Sequence, residues 1–96
     1  MRLGDFQREI GQTYQQRDAA RGLMGTFGWY VEEVGELATA LRESPPGSPE
    51  QAEEFADCLA WLASLANLCG IELGDAAAKY AAGCPKCASI PCVCAE

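Results

Sequence analysis

The sequence predicts an all-α fold, an antiparallel bundle of about four helices with a small cysteine-rich metal-binding tail. Apolar residues recur at helical spacing, as in Phe6, Ile10 and Tyr14 and again in Tyr30, Val34, Leu37 and Leu41. No stretch alternates with the period of a half-buried strand, and no internal repeat is present. The breaker residues, Ser44-Pro45-Pro46-Gly47-Ser48-Pro49, Gly70 and Gly83, fall between the periodic segments.

Helix one is expected over roughly Leu3 to Asp18, its apolar residues serving packing. Helix two starts loosely in Gly22-Leu23-Met24-Gly25, because glycines weaken a helix interior, and continues through Phe27 to Leu41. Ser48 followed by Pro49 forms a good N-cap and first-turn pair for helix three. Glu50, Glu53 and Glu54 then occupy its first two turns, where the helix dipole favours negative charge. Helix three is expected to reach about Cys69 and stop at Gly70. Helix four is short, from Leu73 to about Ala82, and Gly83 ends it. The chain thus divides into a helical domain, residues 1–82, and a cysteine-rich segment, residues 83–96.

At 96 residues the chain is a single small domain that buries little core as a monomer. Domains of this size gain stability from a staple or a partner subunit. The cysteines offer the first. The wide apolar faces, including Trp61, Leu62, Leu65 and Leu68, predict the second, a homo-oligomer and most simply a dimer. A net charge of −7 argues against bulk nucleic acid binding, so phosphates would be reached through metal cations. Met1 to Phe6 has no apolar leader pattern, and the uncharged stretch Cys58–Ile71 is too short for a bilayer. The expectation is a cytoplasmic protein without membrane contact, in which paired cysteines read as metal ligands before disulfides. There is no histidine. Ser-His and Cys-His nucleophiles, histidine metal sites and the Glu-x-x-His pattern of di-iron bundles are therefore excluded.

Two acidic pairs stand out, Glu33-x-x-Glu36 on helix two and Glu54-x-x-Asp57 on helix three. Each pair occupies one helix face, and the short turn makes the helices antiparallel neighbours. Counted outward from that turn at about 1.5 Å per residue, the pairs lie at similar heights, so all four carboxylates can converge. Glu33 borders the Tyr30–Leu37–Leu41 stripe while Glu32 points away. Glu54 falls within the arc of Cys58, Trp61 and Leu65, with Asp57 at its edge. Such a quartet repels itself and binds protons or cations, and all-oxygen ligands suit Mg²⁺ or Mn²⁺. The alternative is a set of solvated glutamates favoured at a helix N-terminus.

The strings Glu32-Glu33-Val34-Gly35-Glu36-Leu37-Ala38, Glu53-Glu54-Phe55-Ala56-Asp57-Cys58-Leu59, Leu65-Ala66-Asn67 and Gly70-Ile71-Glu72-Leu73 resemble the MazG-type all-α nucleoside triphosphate pyrophosphohydrolases, over about Phe27 to Tyr80. The resemblance implies cleavage between the α- and β-phosphates of a nucleoside triphosphate, giving the monophosphate and pyrophosphate. It implies metal ligands at Glu33, Glu36, Glu54 and Asp57, and a phosphate contact at Lys79. Relatives often continue past that lysine with an Asn- and Arg-rich segment that helps hold the nucleotide; here Gly83 and the cysteine tail follow. With no histidine, Glu32 is the nearest candidate general base, its alternative being a solvated surface residue. Trp29, Trp61 and Phe27 are either core or a base-stacking surface.

Cys84-Pro85-Lys86-Cys87 and Cys92-Val93-Cys94 place four thiols within one short segment, which suits tetrahedral Zn²⁺ in a structural role. A redox disulfide pair and an iron–sulfur site are the rivals. Cys58 and Cys69 are expected to be buried core thiols of helix three. For the whole chain, the rival to a hydrolase is a non-catalytic helical interaction module with a zinc-stapled tail.

Overall fold

The computed structural model describes residues 1–96 and is all-helical, with no strand. Its elements are α1 (Leu3–Arg21), α2 (Leu23–Glu43), α3 (Pro49–Cys69) and α4 (Leu73–Ala77). A 3₁₀ turn over Ala78–Tyr80 and an irregular tail follow. Helix α1 runs past Asp18 through Ala19-Ala20-Arg21, residues that favour helix without contributing to an apolar stripe. It ends at Gly22, whose φ of 81° suits glycine and whose N–H donates to Asp18 O at 2.9 Å. Only that glycine separates α1 from α2, so α2 begins directly at Leu23. Gly25 sits in its first turns where a Cβ would lie 2.9 Å from Arg21 Cγ. Helix α4 is shorter than expected because Ala78-Lys79-Tyr80 tightens into the 3₁₀ turn.

Helix α3 is central and packs against both α2 and α1. The closest packing uses small residues, with Ala63 and Thr26 fully buried and Ala40, Ser64 and Ala66 nearly so. Gly70 closes α3 in the left-handed conformation, φ 68°, as its place in the sequence predicts. The expected burial of Cys58 and Cys69 does not hold. Cys58 is half-buried, and Cys69, the last residue of α3, is exposed. Both sit on stretches of α3 that no other helix of the chain fully covers. Trp29 and Trp61 stack on each other, centroids 6.0 Å apart and 12° between planes, with Trp29 still half exposed.

One polar side chain ties the first helix to the last. Buried Gln7 donates from Nε2 to Asn67 Oδ1 at 3.0 Å and to Ile71 O at 2.7 Å. Its Oε1 accepts from Leu73 N–H at 2.8 Å, and Asn67 Nδ2 returns a bond to Gln7 O at 3.2 Å. Glu72 offers α4 no side-chain cap, so Gln7 caps that helix from across the fold. Gln7→Ala should therefore lower stability by about 2 kcal/mol in urea unfolding, as expected when several buried partners lose their bonds. The double variant with Asn67→Ala should lose less than the sum of the singles. A Gln7→Ala effect within about 0.5 kcal/mol of zero contradicts this role.

Candidate metal centre

The α2–α3 turn sets the site. Ser48 Oγ accepts from Gln51 N–H at 3.3 Å, capping α3. Buried Gln51 in turn donates to Ala40 O at 3.4 Å and Ser44 O at 3.2 Å, and its Oε1 accepts from Gly47 N–H at 3.0 Å. A single side chain thus bonds the end of α2, the turn and the start of α3, and fixes the register of the two helices.

In that register Glu33 of α2 meets Glu54 and Asp57 of α3. All three are half-buried, and each offers a carboxylate oxygen within 4.8 Å of the others. Glu36 stands beside this trio, exposed on α2, lining with Glu43, Glu50, Glu53 and Glu54 an acidic cleft near the turn. Three residues advance a helix by about 4.5 Å, which places Glu36 a step closer to the turn than Glu33. Glu32 is exposed next to the trio in sequence. Lys79 lies over the Tyr80 ring at 5.2 Å and lines neither of the cavities that border the trio.

No ion pair of the chain reaches the trio; those present are Arg8–Asp5 and Arg21–Asp18. Burial pushes the Glu33 carboxyl above its ordinary value, and Asp57, Glu54, Glu36 and Glu32 add to this by repulsion. Glu54 is raised for the same reasons, burial first, then Asp57, Glu36 and Glu53, while its contact with Glu33 pulls the other way. Glu54 Oε2 is buried without a hydrogen-bond partner. Beside them the Cys58 thiol is also pushed up, by burial and then by Glu33, Glu54 and Asp57, and its Sγ donates to Glu33 O at 3.4 Å. Partly buried anions that lack a counter-ion bind protons or cations. The donor set is all oxygen, which fits a hard divalent cation.

The structure adds residues that the sequence reading left aside. A cavity of about 220 Å³ opens next to Asp57, lined also by Tyr14, Arg17, Asp18, Arg21 and Trp61. Arg21 bonds Asp18 Oδ1 at 2.9 Å and Thr26 Oγ1 at 3.2 Å, with its guanidinium 4.8 Å from the Trp61 ring centre. The signal was the charged run Arg17-Asp18 and Arg21 on α1, one helical turn apart, which resembles an ordinary solvated face.

At the other end of the chain the Sγ atoms of Cys84, Cys87, Cys92 and Cys94 also lie within 4.8 Å of one another, and all are free thiols. Backbone N–H groups of Val93 and Ser89 lower the Cys87 thiol to about 6, and those of Cys87 and Lys86 lower Cys84. Hydrogen bonding among the thiols pushes Cys94 up to about 11.

Residues 24–87, two thirds of the chain, match the family model described as the MazG nucleotide pyrophosphohydrolase domain. No curated protein matches the chain. The matched segment holds the whole carboxylate quartet and leaves out α1.

The raised Glu33 and Glu54 carboxyls have a consequence for stability. A folded carboxyl that binds its proton more tightly than the unfolded one destabilises the fold once pH rises past the unfolded value. In chelator, the melting temperature should therefore rise as pH falls from about 7 towards about 5. Glu54→Gln removes part of the repulsion and should melt at or above wild type in chelator at neutral pH, with a flatter pH dependence. A Glu54→Gln melt well below wild type there would show that Glu54 makes a stabilising contact instead.

Proposed function

The chain belongs to the MazG nucleotide pyrophosphohydrolase family, and from that premise we propose that it hydrolyses nucleoside triphosphates, NTP or dNTP, between the α- and β-phosphates, releasing the monophosphate and pyrophosphate. The observation that carries this reading is the trio Glu33, Glu54 and Asp57, reached by no ion pair and held on two helices with an unpartnered oxygen at Glu54. These three would hold Mg²⁺ or Mn²⁺, with Glu36 adjoining as a fourth anionic ligand. Bound there, the cation would compensate triphosphate charge and make water more acidic.

The chain's own groups complete the chemistry. Glu32, exposed and next to Glu33 in the chain, would accept the proton of the attacking water. The family resemblance gives Lys79 a phosphate contact, which would require its side chain to leave the Tyr80 ring, since it lines neither cavity beside the trio. The four tail thiols suit Zn²⁺ rather than Mg²⁺ and take no part in the reaction.

A second copy of the chain is part of the reading. The single chain exposes 6941 Å², against about 5,300 Å² expected of a folded monomer of this mass. An all-apolar groove of Tyr30, Phe55, Ala56, Cys58, Leu59 and Leu62 runs alongside the trio. Covering it with the same face of a partner would make a dimer or higher oligomer whose interface borders the site. No single helix is long and apolar enough to cross a membrane. The net charge of −7 disfavours bulk nucleic acid, and paired cysteines spaced as metal ligands fit the reducing cytoplasm.

A panel of nucleoside triphosphates assayed with Mg²⁺ should release pyrophosphate with the monophosphate, and chelator should stop it. Diphosphate with orthophosphate as products would overturn α–β cleavage. Glu33→Gln should lower turnover at least about 100-fold, and Glu32→Gln should lower kcat while leaving cation binding intact. Sedimentation should find a dimer or larger at micromolar concentration; a compact monomer refutes the oligomer.

A further inference from the structure

Residues 81–96 contain no helix or strand, and their apolar side chains do not form a core, Ile90 being 81 % and Val93 72 % exposed. Something else must account for a defined shape there. The segment folds back on itself through Cys84 N–H to Ser89 O at 3.1 Å and Ala88 N–H to Cys84 O at 2.7 Å. Two unusual backbone positions permit this turn. Ala88 has φ 59°, and Gly83 has φ 100° at a place where a Cβ would stand 2.6 Å from Ile90 Cγ1. The turn carries Cys84 and Cys87 to one side and brings Cys92 and Cys94 opposite them.

The sulfur spacing is informative. Cys84 Sγ lies 3.7 Å from Cys94 Sγ, and Cys87 Sγ 3.9 Å from Cys92 Sγ. A disulfide would need about 2.05 Å. Four sulfurs around one Zn²⁺ at about 2.3 Å stand about 3.8 Å apart along each edge of the tetrahedron. Backbone N–H groups also point at sulfur, Val93 to Cys87 Sγ at 3.5 Å and Cys94 to Cys92 Sγ at 3.3 Å, as donors that spread thiolate charge. No histidine or carboxylate belongs to the group. A set of four soft ligands, with no position left for water, describes a closed structural site rather than a catalytic one.

We infer that Cys84, Cys87, Cys92 and Cys94 close one tetrahedral Zn²⁺ site, that this ion folds residues 83–94, and that the site works independently of the carboxylate trio. The inference stands on the tail alone and does not depend on the hydrolase reading. Tight packing of the sulfurs favours a single ion over an iron–sulfur cluster, whose ligand thiolates are spread around several metal atoms.

The test uses untagged full-length protein expressed with added zinc. Elemental analysis should find about one zinc per chain, falling at least about fivefold in Cys87→Ser and in Cys92→Ser. Replacing the ion with Co²⁺ in the wild type should give the intense visible and sulfur-to-metal bands of a four-thiolate tetrahedral site. This readout does not require any variant to fold. In the Cys→Ser variants the helical circular dichroism and any Mg²⁺-dependent pyrophosphate release should stay within about twofold of wild type, since the ion holds only the tail. Iron in place of zinc, no stoichiometric metal, or a Co²⁺ spectrum of octahedral type overturns the zinc assignment. Loss of helical content or of turnover along with zinc overturns its independence.

Discussion

The register between α2 and α3 is the constraint on which the rest of the site depends. Sliding either helix by one residue would turn its carboxylates by about 100° and separate Glu33 from Glu54 and Asp57. Gln51 prevents this by bonding Ala40, Ser44 and Gly47 at once, while Ser48 fixes where α3 begins. These bonds are neutral, short in reach and local to the turn. They hold together three groups that would otherwise move apart. Burial first, and then the repulsion among these groups, raises the Glu33 and Glu54 carboxyls, and Glu54 Oε2 is left without a hydrogen-bond partner. A rigid frame around carboxylates that no ion pair reaches is what a cation site needs before the cation arrives.

The rest of the chain serves that frame in two ways. Small residues such as Thr26, Ala63 and Ala66 let the helices approach closely. The Gln7 contacts then fasten α1 and α4 to the far end of α3. What the single chain lacks is a large apolar core, because Phe27, Val34, Phe55, Leu59 and Leu62 remain open to solvent. The same deficit explains why the groove along Cys58 borders the site: the helices that carry the carboxylates also carry an apolar face that the single chain leaves open.

Much of this was legible from the sequence, for identifiable reasons. Ser48-Pro49 and Gly70 bound α3 through local backbone chemistry, and local chemistry can be read from neighbouring residues. The helical angle alone puts Glu54 on the apolar arc of its helix, and one of its oxygens is buried. The departures have a common cause in tertiary context. Gln7 and Asn67 look like solvated residues because their partners lie some sixty positions away. Arg21 carries no motif in the sequence, and its role depends on α1 extending past Asp18 to bring it over Trp61. Cys58 and Cys69 read as core because periodicity reports an apolar face without saying whether the same chain covers it. Glu36 shares a helix face with Glu33, yet the face is long enough to leave it outside the trio.

The cation site itself is best tested by direct binding, without turnover. Titrating the metal-free protein with Mn²⁺ and following the free ion by its paramagnetic resonance signal should show saturable binding. Mg²⁺ should compete for it, and it should be lost in Glu33→Gln and in Asp57→Asn but unaffected in Cys87→Ser. Equal Mn²⁺ binding by wild type and Glu33→Gln would contradict the account, because the trio would then not be where the ion is held.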